Sequence, residues 1–348
     1  MKKQGINMKF INPILVTLFL SFGFSGYAPA QETTNLNIAY QDAGFPALIK
    51  KSGVLNDASF KVNWIILTGP AANLSALYGG AIDVGHMGDT SLTIEQANAR
   101  TPWTVEDAPL KIVAGWRSDY SRTNPPLVTA IRTAANINTP SELAGHTWAY
   151  NYGGYNHAQY LISLVKANLS EKDIKPTRFN DGSSAAAAFN SGQTDVYSGS
   201  LGPILQSVNN GSAKILWTDR DTGIPGLGVW TARAAVLNDP AKDAALKEFF
   251  GDLSHYWAWH QSHKKEVIET LISTLKLTPE RAAYEYEVRG GAFRPFDAEL
   301  FKAEQNVADV LYQGGAIKRK VDVRIGFDDR YNQVQKTTPV KVNEAGGE

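Results

Sequence analysis

Between residues 145 and 169 the rhythm of apolar and polar positions changes twice. Thr147 to Tyr150 is a short run of buried-strand type, and Gly153-Gly154 interrupts it. From Asn156 to Ala167 the apolar positions Tyr160, Leu161, Leu164 and Val165, followed by Leu169, recur at steps of three and four. The pattern predicts a strand, a tight turn and a helix. Polar Tyr155-Asn156-His157 stands at the helix opening, where the first backbone N–H groups have no partners within the helix. Glycines just before it allow a ligand to approach the backbone, and the N–H groups and helix dipole together favour an anion. The same rhythm recurs upstream. Strand-like Asn35–Tyr40 leads through Gln41-Asp42 to a helix over Ala47–Ser52, and Phe60–Leu67 leads through Thr68-Gly69-Pro70 to a helix over Ala72–Tyr78. A strand over Ile82–Val84, a turn at Gly85–Asp89 and a helix from Thr90 follow, and Gly88-Asp89-Thr90 joins a flexible glycine to two good cap residues. If those three strands are parallel neighbours, all three corners lie at the carboxyl edge of one sheet, where α/β proteins bind ligands.

Further along, Lys111–Trp116 and Leu127–Arg132 read as strands on either side of a polar loop, Arg117–Pro126. A second alternating block then runs through the strand at Lys175–Asn180, the helix at Ser183–Ser191 and the strand at Thr194–Tyr197, which closes on Ser198-Gly199-Ser200. Gly228–Val236 is a returning strand, and from Pro240 the pattern is almost wholly helical. Two alternating blocks joined by two crossings predict two α/β lobes with a cleft between them. Lobe I is expected over 31–124 and 226–335, lobe II over 125–225, and a polar tail over 336–348.

Composition narrows the chemistry. The chain of 348 residues is formally neutral, which gives a nucleic-acid role no electrostatic support. It contains no cysteine, so disulfides, thiolate metal sites and cysteine nucleophiles are excluded together. The first thirty residues have the build of a secretory signal: Lys2, Lys3 and Lys9, an apolar run from Ile14 to Phe24, and Ala28-Pro29-Ala30 as a cleavage site. The apolar run is well short of the ~20 residues a membrane span needs. A cleaved, soluble protein outside the inner membrane is expected, carrying 31 basic and 34 acidic residues. His86 and His157 fall in corner segments, but scattered histidines without cysteine do not supply three or four ligands at metal-site spacing, so neither metal nor cofactor is expected. No Ser-His-Asp arrangement with a strained nucleophile turn is present. His255, Trp257, Trp259, His260 and His263 read as core aromatics and a solvated edge.

The runs IAYQDAG, TGPAANLSALYGGAIDVGHMGDTSLTIEQANA and ELAGHTWAYNYGGYNHAQYLISLVKANL, with YEVRGGAFRPFDAELFKAEQNVADVLYQGGAIKRKVDV near the end, resemble the periplasmic substrate-binding proteins of ABC importers. Within these, the chain is most similar to the aliphatic sulfonate, taurine and nitrate group, over essentially the whole length to Val323. The resemblance implies a type II periplasmic-binding fold, two α/β lobes around a ligand cleft. It implies a small organic anion of the sulfonate class as ligand, an ABC permease as partner, a periplasmic location and a monomer. Headgroup-binding positions of the group match Gln41, Asp42, Gly88, Asp89, Thr90, Trp116, Gly153, Gly154, Tyr155 and Asn156. The group often carries Trp-Asp-Pro where this chain has Ser200-Leu201-Gly202, so the resemblance implies a roomier pocket at Ser200, or one that reads a polar group.

The residues fit that chemistry. A sulfonate stays ionised and needs donors, which helix N-termini and the Gln41 and Asn156 amides supply. Tyr152, Tyr155 and Trp116, with Phe45 or Trp230, are expected to enclose an organic tail. Asp42 and Asp89 either cap helices or accept from the ammonium of a zwitterion such as taurine, and Arg289 is expected as a second anion contact. The alternatives are a binding protein for nitrate, taurine or a sulfate ester, a receptor domain using the same cleft, or an enzyme on the same scaffold. Enzymes of that scaffold resembling this chain, a pyrimidine synthase and a sulfinate-cleaving enzyme, rely on cysteines that are missing here.

Overall fold

The structure, a computed structural model, describes residues 33–117 and 125–335. The signal-type segment 1–30, the tail 336–348 and residues 118–124 of the polar loop lie outside the described residues. Among the described residues no helix is long and apolar enough to cross a membrane.

The chain begins with β1 (Asn35–Tyr40), α1 (Gly44–Ser52), β2 (Lys61–Ile66), α2 (Pro70–Tyr78), β3 (Val84–Gly88), α3 (Thr90–Asn98) and β4 (Leu110–Arg117). It then runs through β5 (Leu127–Arg132), β6 (Thr147–Asn151), α4 (Tyr155–Lys166), β7 (Lys175–Phe179), α5 (Gly182–Asn190) and β8 (Val196–Ser200). Short helix α6 (Leu205–Asn209), β9 (Ala213–Thr218), α7 (Asp219–Thr222), β10 (Gly228–Arg233) and α8 (Ala234–Leu237) follow. The remainder is α9 (Pro240–Ser262), α10 (Lys264–Leu275), α11 (Pro279–Arg289), β11 (Ala292–Phe293), α12 (Ala298–Gln313) and α13 (Asn332–Gln335).

Two mixed sheets result. The first has strand order β11-β4-β10-β3-β1-β2 and the second β7-β6-β8-β5-β9. Strand β1 is parallel to both β2 and β3, so the three early corners do share one carboxyl edge. In the second sheet β6 is parallel to β7 and β8, which puts the corners after Asn151, Phe179 and Ser200 at one edge as well. The returning strands β10 and β5 run antiparallel to their neighbours, so their first residues, Gly228 and Leu127, join the same edges.

Helices cover both faces of each sheet. On the first, α1, α9 and α10 bury Phe45, Phe249, Phe250, Tyr256, Trp257 and Leu271 in one cluster, while Leu74, Leu77 and Leu92 from α2 and α3 fill the other face. Each such aromatic or branched side chain contributes ~2 kcal/mol through removal from water. On the second sheet, Tyr160, Leu161 and Leu164 of α4 pack one face and Ala185, Ala186 and Phe189 of α5 the other. The late helices are shared. Leu300 of α12 lies in the core of the first sheet and Val307, Ala308 and Leu311 in that of the second. Ala282 and Tyr284 of α11 divide in the same way.

Two segments expected just past strand ends, the first of them as a turn, prove to be strand. Gly85 to Gly88 and Ser198 to Ser200 continue β3 and β8, because antiparallel partners extend the ladders: Gly88 pairs with Gly228 and Ser200 with Leu127. Their glycines serve close approach rather than turning. A Cβ on Gly85 would stand 2.9 Å from Asn73 Oδ1, and one on Gly199 would overlap the Tyr197 ring. Helix α1 starts earlier than expected, at Gly44, whose N–H is bound by Asp42 Oδ1 at 2.7 Å.

Candidate functional site

The two carboxyl edges face each other across a cavity of about 260 Å³. From the first sheet come Gln41 and Asp42 after β1, Gly69 and Pro70 after β2, Gly88 ending β3 and Trp116 near the end of β4. The second contributes Asn151, Gly154, Tyr155 and Asn156, then Asp181 to Ser183 at the start of α5, and Ser200. Helix α11 lays Arg281, Glu285 and Arg289 along one side.

The lobes meet closely, and glycines let them. A Cβ on Gly69 would overlap the Asn180 carbonyl, one on Gly154 would sit 2.8 Å from Pro70 Cγ, and one on Gly88 2.7 Å from the Tyr155 backbone nitrogen. Backbone cannot swing aside as a flexible side chain can. Gly88→Ala is therefore expected to hold the lobes apart and weaken ligand binding about tenfold or more, the equivalent of ~1.4 kcal/mol, while the fold persists. Calorimetric titration alongside a thermal melt checks this.

Helix starts differ in what occupies them. Asp89 accepts from the N–H groups of Thr90 and Leu227, both at 2.7 Å, so α3 is filled by its own carboxylate. Burial pushes Asp89 up to about 6, and buried Glu304 beside it is raised far above the carboxylate range by burial and by the Asp89 charge. Asp42 serves α1 in the same way, and Asp181 binds the Ser184 N–H at 2.9 Å in α5. Helices α2 and α4 have no side-chain cap: their N-caps are Gly69 and Gly154. These two uncapped ends face each other, with Gly154 against Pro70 and Gly153 close to the Ala71 nitrogen. Two sets of free N–H groups and two positive dipole ends thus converge on one part of the cleft.

Around that seat, Asn156 donates to Asn151 Oδ1 at 2.6 Å, which fixes its amide and spends one of its two N–H groups. Gln41 donates to the His86 carbonyl at 3.2 Å. Tyr155 reaches from α4 across to Gly88 and hydrogen-bonds Ser200. Trp116 Nε1 donates to His86 Nε2 at 3.2 Å, and burial drops the His86 pKa to about 3, so that ring is neutral. Arg289 makes a bidentate pair with Asp42, at 3.1 and 2.8 Å, and donates through Nε to Glu285 at 2.7 Å.

Of the residues expected from sequence, Gln41, Asp42, Gly88, Trp116, Gly154, Tyr155, Asn156, Ser200 and Arg289 line the cavity. Asp89, Thr90, Tyr152 and Gly153 do not. Asp89 and Thr90 are buried behind the wall. Tyr152 turns away, with the Arg178 guanidinium 4.0 Å over its ring and His157 packed against it. Gly153 has φ of +94°, a left-handed turn position that only glycine takes easily, and it supports the wall from behind. Phe45 and Trp230 belong to the core under Tyr40 rather than to the pocket. Both oxygens of Asp42 are engaged, Oδ1 by Arg289 and Gly44 and Oδ2 by Arg289. Sequence reasoning missed Asn151, Asp181, Arg281 and Glu285. Arg281, Glu285 and Arg289 stand at four-residue steps on α11, and that spacing was the available signal.

Comparison with known proteins agrees with this architecture. Residues 51–222 match the family model described as NMT1/THI5 like. Over 323 residues the chain is 27% identical to a putative aliphatic sulfonates-binding protein of Escherichia coli K12, covering 90% of this chain and 95% of that one. The alkanesulfonate-binding protein SsuA of Xanthomonas axonopodis pv. citri, solved bound to MOPS, superposes with a TM-score of 0.72 at 24% identity. It covers 86% of this chain, and 99% of its own length is matched. The family-model match spans just under half of the chain, and the likeness to the solved structures shows a periplasmic-binding fold. The periplasmic aliphatic sulphonate binding protein SsuA of E. coli shares the fold too, with a TM-score of 0.67 at 24% identity over 84% of this chain and 92% of that one. In a two-lobed fold of this kind, hinged closure would bury what lies between the two facing sheet edges.

Proposed function

We propose that this protein captures an organosulfonate-type oxyanion in the interlobe cleft and delivers it to the permease of an ABC importer. The observation that carries the reading is the pair of uncapped helix starts, α2 and α4, facing each other across the cavity. A sulfonate has three acceptor oxygens and no proton to share, which suits a seat made of backbone N–H groups. The 27% identity to a putative aliphatic sulfonates-binding protein supports the same ligand class. The signal-type start of the chain supports export, and the protein works in the periplasm, as a monomer, without turning its ligand over. The lack of any cysteine in the sequence supports a binder rather than an enzyme.

A thermal-shift panel of alkanesulfonates, sulfate esters, taurine, nitrate and sulfate tests this. A ligand present at 100 times its dissociation constant adds ~2.7 kcal/mol to the folded state, a readily visible rise in melting temperature. The expected result is a rise with organosulfonates that exceeds the rise with nitrate or inorganic sulfate. A flat response to every sulfonate contradicts the proposal.

A further inference from the structure

On the α11 wall of the cavity the carboxylates are engaged by guanidiniums that keep further donors unspent. Glu285 lies between two guanidiniums, with Oε1 accepting from Arg281 Nε and Oε2 from Arg289 Nε, both at 2.7 Å. Both oxygens of Asp42 accept from Arg289, and Oδ1 accepts from Gly44 as well. Each carboxylate oxygen on this wall is therefore occupied. A guanidinium carries five N–H groups, and the three bonds of Arg289 leave two of them unspent. Arg281 directs its bonds to Glu285 Oε1 alone, which leaves others. Gly202 makes the placement of Arg281 possible: a Cβ there would lie 2.5 Å from Arg281 Nε, so the guanidinium rests against bare backbone. Both arginines line the same cavity as the uncapped helix starts, with Tyr155 between the two regions.

We infer that the ligand is a sulfonate whose far end carries an oxygen acceptor, a hydroxyl or a carboxylate, read by Arg281 and Arg289, and that an ammonium tail is rejected. An ammonium has three donors and no acceptor, so it would meet guanidinium donors whose neighbouring carboxylates are already engaged. The inference rests on the oxyanion reading of the cleft and adds which tail the cleft selects.

The test uses two- and three-carbon sulfonates that differ only at the far end: methyl, hydroxyl, carboxylate or ammonium. Each is titrated calorimetrically into the wild-type protein, Arg281→Met and Gly202→Ala. Arg281→Met leaves Glu285 paired with Arg289, and Gly202→Ala displaces the guanidinium without deleting it. The expected result is hydroxyl or carboxylate tails binding about tenfold tighter than methyl, from hydrogen bonds to a charged donor, with ammonium weakest. In both variants that advantage over the methyl-tailed sulfonate should fall below about threefold. Equal binding of all four tails to the wild type overturns the inference and leaves the sulfonate reading standing. Binding of none of them overturns both.

Discussion

Gly154→Asp is expected to lower sulfonate affinity by roughly 100-fold or more, since like-charge juxtaposition costs several kcal/mol. Gly154 is the N-cap of α4, in extended conformation, so a side chain there meets no backbone strain. The new Cβ would press on Pro70 Cγ at 2.8 Å, across the cleft. The carboxylate would then fill the seat as Asp89 fills the start of α3, accepting the N–H groups that the ligand needs. Two causes act together, and Gly154→Asn separates them. Asparagine brings the same bulk without charge, so it should retain the steric loss and recover part of the affinity. Titration of wild type and both variants reads the difference. Equal affinities for Asp and Asn would show that crowding alone acts, and unchanged binding in both would remove α4 from the site.

Arg289→Met is expected to be the most destabilising single change in the cleft, at about 3 kcal/mol near pH 7. It leaves Asp42 without its bidentate partner and Glu285 with Arg281 alone. Burial raises the pKa of both carboxyls, but Arg289 outweighs it for Asp42, and Arg289 with Arg281 for Glu285, so both sit below their ordinary values of 3.8 and 4.5. A depressed folded-state pKa contributes stability that is present above the unfolded value and lost as pH falls through the folded one. The wild type should therefore lose stability on acidification below about pH 4.5 faster than the variant. The gap between them should narrow as the pH falls through the lowered folded-state values. Denaturant melts of both proteins at several pH values check the sign. A gap that stays constant, or widens in acid, contradicts the pairing. Arg289→Lys should recover only part of the loss, because an ammonium cannot reproduce the two-point contact with Asp42.

The alternation of strand and helix, and the two-sheet arrangement it implies, was legible because the apolar spacing is strong and the corners repeat. The glycines were read less well. Gly88 and Gly199 look like turn residues along the chain, yet both lie in strands and are glycine because Tyr155 and Tyr197 occupy the space beside them. For Gly88 that requirement is visible only once distant segments are packed. Helix starts were found, but not which of them are filled. Asp89 and Asp42 satisfy their own corners, and the ends left open are those with Gly69 and Gly154 as caps. The Arg281-Glu285-Arg289 spacing lies in plain view on one helix, whereas the partner of Arg289, Asp42, is 247 residues away in sequence. No local pattern announces such a contact.

The central claim is that a sulfonate sits where the open starts of α2 and α4 meet. A crystal of the protein grown with a methyl-tailed alkanesulfonate, with the sulfur located by its anomalous signal, tests it most directly. The expected peak lies within hydrogen-bond reach, through the sulfonate oxygens, of the backbone N–H groups at Tyr155 and Asn156 and at Ala71 and Ala72. A peak beside Arg281 and Arg289, or outside the cleft, would contradict the account.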